Sequence, residues 1–145
     1  MNSRFALLFV ALLASGCNHD PYGVAQVSGK VTLDGKPVPQ LAVMFQPVAP
    51  EGNINPGPGS YGITDAEGRY SLRLVGKESP GAVIGKHKVR MDPYSEPQSA
   101  IGDAPYRPPK PLVPIPSKYN RAEAILEFDV LAKGSNSADF QLTAK

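Results

Sequence analysis

Proline and glycine constrain this chain more than any other feature, because 16 prolines and 14 glycines among 145 residues favour turns and short strands over long helices. Proline donates no backbone N–H and fixes φ, so it interrupts helix interiors and central strands alike. The runs between these breakers alternate, which is the period of a half-buried strand. Val27 to Leu33 places Val27, Val31 and Leu33 on one face. Asp34-Gly35 follows, a pair that accepts positive φ and predicts a hairpin, with Leu41 to Gln46 as the returning strand ended by Pro47 and Pro50. Residues 50–60, with Pro56-Gly57-Pro58-Gly59, read as a loop.

Tyr61 to Thr64, Arg69 to Leu74 and His87 to Met91 are the next strands, with Asp65-Ala66-Glu67-Gly68 as a turn. Ala124 to Val130 and Ala138 to Leu142 predict a last pair joined by a turn around Lys133-Gly134-Ser135-Asn136. The expected inward set is Val27, Val31, Leu33, Val43, Phe45, Ile63, Tyr70, Leu72, Leu74, Val89, Met91, Leu126, Phe128, Phe140 and Leu142. Seven short strands separated by turn chemistry predict an all-β fold, a single two-sheet sandwich.

The first residues carry a different signal. Arg4 gives a short positive region, Phe5 to Ala14 form an apolar segment, and Ala14-Ser15-Gly16 precede Cys17, the sole cysteine. This is the layout of a secretory leader. The segment is about half the ~20 residues that a helix needs to cross a bilayer, so it predicts a removable signal. Ala14-Ser15-Gly16-Cys17 resembles the bacterial lipobox, which implies cleavage between Gly16 and Cys17 and acylation of Cys17 by palmitate-type chains. The alternative is plain secretion with an incidental thiol, an unusual feature in an exported protein. Asn18 stands where aspartate would signal inner-membrane retention, so the outer membrane, facing the periplasm or the cell surface, is favoured. The expected organisation is a leader over 1–16, a lipidated tether over 17–24 and one domain over 25–145.

Val27-Ser28-Gly29-Lys30-Val31-Thr32-Leu33-Asp34-Gly35-Lys36-Pro37-Val38, Gly62-Ile63-Thr64-Asp65-Ala66-Glu67-Gly68-Arg69-Tyr70 and Gly85-Lys86-His87-Lys88-Val89 resemble the carboxypeptidase regulatory-like group of transthyretin-like sandwiches. Ile115-Pro116-Ser117-Lys118-Tyr119-Asn120 beside the lipobox is similar to small lipoproteins of planctomycete-type bacteria. The resemblance implies a seven-stranded, prealbumin-like or Ig-like sandwich acting as an accessory or binding module without catalysis of its own. The long segment between residues 92 and 118 departs from that compact pattern.

Composition narrows the partners. The net charge is +2 and no basic block interleaves with aromatics, which disfavours nucleic acid. One cysteine and two histidines cannot supply a zinc set, and no cofactor is expected. Asp65, Glu67 and Asp34 could be imagined around calcium, but a turn explains Asp65 to Gly68 without a metal. His87 is the one histidine available to a hydrolase, yet no Gly-x-Ser-x-Gly elbow accompanies it, and a packed or edge-strand role is expected. The segment 93–117 is rich in proline. Its Tyr94, Tyr106, Arg107, Pro108, Pro109 and Lys110 are candidate partner-binding residues, since polyproline conformations lose little entropy on docking. The competing reading is a loop packed across the sandwich through Ile115 and Tyr119. The resulting expectation is a non-enzymatic, lipid-anchored envelope protein that binds a protein, peptide or glycan. The alternatives are a self-associating structural protein or, further off, a hydrolase.

Overall fold

The computed structural model describes residues 22–77, 79–94, 113–121 and 126–145. The strands in chain order are β1 (Val24–Ala25), β2 (Val27–Leu33), β3 (Lys36–Pro37), β4 (Leu41–Pro47), β5 (Ser60–Ile63) and β6 (Arg69–Ser71). They continue with β7 (Arg73–Leu74), β8 (Ala82–Val83), β9 (Gly85–Pro93), β10 (Leu126–Val130), β11 (Asn136–Ser137) and β12 (Phe140–Leu142). Among the described residues the one helical element is a single 3-10 turn, Ser117–Tyr119. The fold is all-β, as the turn-rich composition predicts.

Two principal sheets share the core. One runs β10-β9-β4-β5-β7, antiparallel throughout. In the other, β2 is central, with β3 and β6 antiparallel on one side and β11 and β12 parallel on the other. A short ribbon of β1 and β8 closes one end. The inner faces meet through Val43, Phe45, Val89 and Met91 of the first sheet and Val27, Val31, Phe140 and Leu142 of the second. Phe45 sits at the centre, its ring 5.8 Å from Phe128 and 6.3 Å from Phe140, both edge-on. Edge-on contact sets the positive ring edge against the negative face of its neighbour.

Three sequence expectations about pairing are corrected. The Asp34-Gly35 turn does form, with φ of 47° and 80°, but the returning strand is the two-residue β3. Leu41 to Pro47 crosses to the other sheet, where it lies between β5 and β9. The run Arg69 to Leu74 is not one strand, since β6 pairs with β2 and β7 with β5. At the switch, Leu72 donates its N–H to the Val27 carbonyl and accepts from the Gly81 N–H, so both of its backbone groups are satisfied. Finally, β10 and β12 do not pair with each other, because one belongs to each sheet.

Of the expected inward residues, Leu33, Ile63, Leu126 and Phe128 are half-buried and the rest are buried. Val38, Leu41, Ala82, Val83, Tyr119, Val130 and Ala138 join them. Gly29 shows why a glycine stands in the middle of the central strand. A Cβ there would lie 2.0 Å from the Ala138 carbonyl oxygen, the group to which the buried Tyr70 hydroxyl donates at 2.6 Å. Glycine allows this close backbone approach.

Candidate functional site

The outer face of the β10-β9-β4-β5-β7 sheet carries a groove of about 390 Å3. Register builds it. Met44 of β4 lies opposite both Tyr61 of β5 and Arg90 of β9, and Gln46 lies opposite Lys88. Ala42 and Met44 form the floor, exposed Tyr61 and Val75 line one side, and Lys88 and Arg90 line the other. The Arg90 Nη2 points at the Met44 sulfur, 3.6 Å away, while its Nε lies 3.1 Å from an Asp92 carboxylate oxygen. The guanidinium is thus held over the apolar floor. Such a surface can take an extended segment with apolar or aromatic side chains on one side and an acid on the other. The sequence showed Lys88 and Arg90 as outward residues of an alternating strand, but not that Tyr61 and Val75 would stand beside them.

His87 is fully buried in β9, between β10 and β4, and packs 5.6 Å from the Phe45 ring. Its Nδ1 is 2.9 Å from the Gly85 carbonyl, which makes Nδ1 the protonated nitrogen of the neutral ring, and Nε2 has no partner among the described residues. Burial pushes the His87 pKa down, opposed by the Gly85 hydrogen bond and by the Asp129 carboxylate. The ring is a fully buried core side chain, which is the packed role expected of it rather than the edge one.

Asp65 is a turn residue. Its Oδ1 accepts the N–H groups of Glu67 and Arg69, at 3.0 and 2.8 Å, and its carbonyl accepts from Gly68. The carboxylate is occupied in stapling the turn, and among the described residues no three metal-ligating side chains cluster.

Of the proposed partner-binding residues, Tyr94 follows β9 directly, half-buried, with its N–H donated to the Gln40 carbonyl at 2.9 Å. Tyr106, Arg107, Pro108, Pro109 and Lys110 lie outside the described residues, as do Gly16 and Cys17. The end of the proline-rich segment is packed. Val113 and Ile115 rest on the core, and Tyr119 is buried with its hydroxyl accepting the Thr143 N–H at 3.0 Å.

No helix among the described residues is long and apolar enough to cross a membrane. Known protein-family models, curated proteins and solved structures offer no match to this chain.

Proposed function

We propose that the chain is a lipid-anchored envelope protein whose sandwich, of the transthyretin-like kind, works as a non-enzymatic binding or assembly module. One observation carries the reading: an apolar leader ends at Ala14-Ser15-Gly16-Cys17, and the first strand begins at Val24, so little chain separates a lipid attachment point from a folded domain. One acyl chain anchors reversibly and two or more anchor stably, so a diacylated Cys17 would hold the domain at its bilayer. The groove over Met44, with Tyr61 on one flank and Arg90 on the other, supports the binding half of the reading. It suits a peptide or protein segment that combines apolar and acidic side chains.

Mass spectrometry of the mature protein from native envelopes tests the anchor. The expected N-terminus is Cys17 with a thioether-linked diacylglyceryl group, and Cys17→Ala should move the protein from the detergent phase to the aqueous phase. A mature chain that begins elsewhere, or that carries a free thiol, refutes the anchor. For the groove, Arg90→Glu should weaken partner capture at least tenfold while the unfolding transition stays cooperative, its midpoint lowered only by the loss of the Asp92 pair and the repulsion that replaces it.

A further inference from the structure

Apolar side chains are exposed at one end of the molecule in a way that the core does not explain. Six large hydrophobic residues are exposed among the described ones, and four of them, Val48, Ile54, Ile84 and Leu131, gather at the end of the sheet where the chain enters the fold. Register places them there. Val130 pairs with Gly85, so Leu131 and Ile84 extend from the same end of β10 and β9, and the Val48 N–H donates to the Lys86 carbonyl just beyond β4. Ile54 is 100 % exposed, while its neighbours Asn53 and Asn55 line a cavity of about 390 Å3 at this end. The entering chain lies against the same surface. The Ile84 N–H donates to the Gly23 carbonyl at 2.9 Å, and the Tyr22 ring packs against Gly57 so closely that a Cβ there would be 3.0 Å from it.

Charge at this end is mainly basic: Lys86 stands opposite Asp129 in register, Lys133 follows Leu131 by two residues and Lys77 follows β7, while Glu51 is the acid of the loop. An apolar rim of this kind on a soluble domain marks a surface that something covers.

The length of chain ahead of Tyr22 identifies the cover. Cys17 is five residues earlier, a reach of at most ~18 Å even when fully extended. If Cys17 carries lipid, as the proposed function has it, this end cannot leave the neighbourhood of the bilayer, whereas the Asp34-Gly35 turn stands at the far end of β2. We infer that the end bearing Ile54, Val48, Ile84 and Leu131 is a second membrane contact, seated in the headgroup and acyl boundary beside the lipidated cysteine. Apolar groups at such a boundary enter it by roughly 5 to 10 Å. The contact would fix the orientation of the domain as well as its distance, with β4 and β9 rising from the membrane and the sheet-face groove turned sideways to it.

The chain contains no tryptophan, so a single indole reports cleanly. Residues 17–145, which contain the whole described core, are coupled through Cys17, the only thiol, to phosphatidylcholine vesicles doped with a maleimide lipid. Ile54→Trp is compared with Lys36→Trp, an exposed position beside the far turn. The expected result is a blue-shifted emission for I54W that brominated acyl chains quench, with K36W unshifted and unquenched. Adding Val48→Asp and Leu131→Asp to I54W should lower the quenched fraction, each removing apolar surface worth roughly tenfold in partition. An unquenched I54W emission in a folded protein overturns the contact. A blue shift that persists without quenching assigns the surface to a second copy of the chain and overturns it equally. The chemical link makes the outcome independent of cellular lipidation, so failure here and failure of the mature N-terminus analysis are separate results.

Discussion

A neutral imidazole in an apolar core, with one nitrogen unpartnered among the described residues, makes His87 a residue through which pH reaches this fold. Its folded-state pKa lies below the ordinary 6.5, burial being the largest cause. Above pH 6.5 the ring is neutral folded or unfolded, so its contribution is fully present. As pH falls below 6.5 the unfolded chain takes up a proton that the fold resists, and stability drops until the lower folded-state pKa is passed. The slope cannot exceed about 1.4 kcal/mol per pH unit for one proton. Urea unfolding at pH 7, 6 and 5 should show this loss in the native chain and a nearly flat response in His87→Leu; equal slopes in both would remove His87 as the cause. Tyr70 also acts through one bond. Burial and the Asp139 carboxylate hold its phenol far above the usual range, so it stays a donor to the Ala138 carbonyl. Tyr70→Phe should cost about 1 to 3 kcal/mol, the penalty for a buried acceptor left unpaired. Gly29→Ala, which drives a methyl group into that carbonyl, should cost about 3 kcal/mol.

Short elements hold together here because side chains and tight turns complete ladders that strands leave unfinished. The Asp139 carboxylate accepts the Lys30 N–H at 2.8 Å between β11 and β12, where the pairing with β2 is interrupted. Asn136 closes the crossing from β10 to β11. Its Oδ1 accepts the Leu131 N–H, and its amide donates to the carbonyls of Leu131 and Gln26. The Asp34-Gly35 turn is the strongest local device, with both residues at positive φ, as a two-residue hairpin demands. Gly35→Ala meets open space but keeps the left-handed backbone, so the expected loss is about 1 to 2 kcal/mol from conformational strain alone, read as a lower urea midpoint with an unchanged slope. This turn was legible in two letters. The destination of the next strand was not, because a turn specifies the direction of the chain for a few residues, while Pro39 and Gln40, the latter at φ 51°, redirect β4 into the other sheet.

On the scale of the whole molecule, the proposed anchor, apolar rim and groove have a spatial order. The rim lies at the end where Tyr22 enters, and the groove opens along the face that rises from it. The proline-rich segment leaves β9 at Tyr94, at the opposite end of that strand, and rejoins the core through Val113, Ile115 and Tyr119. If the segment captures a partner, Tyr106→Ala, Arg107→Ala and Lys110→Ala together should abolish capture from native envelopes. The thermal transition should remain cooperative, since none of the three belongs to the described core. Retained capture by the triple variant would leave the groove as the binding surface.

The strand faces follow from alternation, a property of a few consecutive residues, and so the sequence alone determined most of the core, the all-β class, and the Asp34-Gly35 and Asp65 to Gly68 turns. Partner choice between strands depends on contacts among residues far apart in the chain, whose energies no local pattern encodes. Only the tertiary structure, therefore, separated β10 from β12, split the run from Arg69 to Leu74 between two sheets and buried His87 in a central strand. For the same reason only the fold brought Met44, Tyr61 and Arg90 side by side on one face and collected Val48, Ile54, Ile84 and Leu131 at one end.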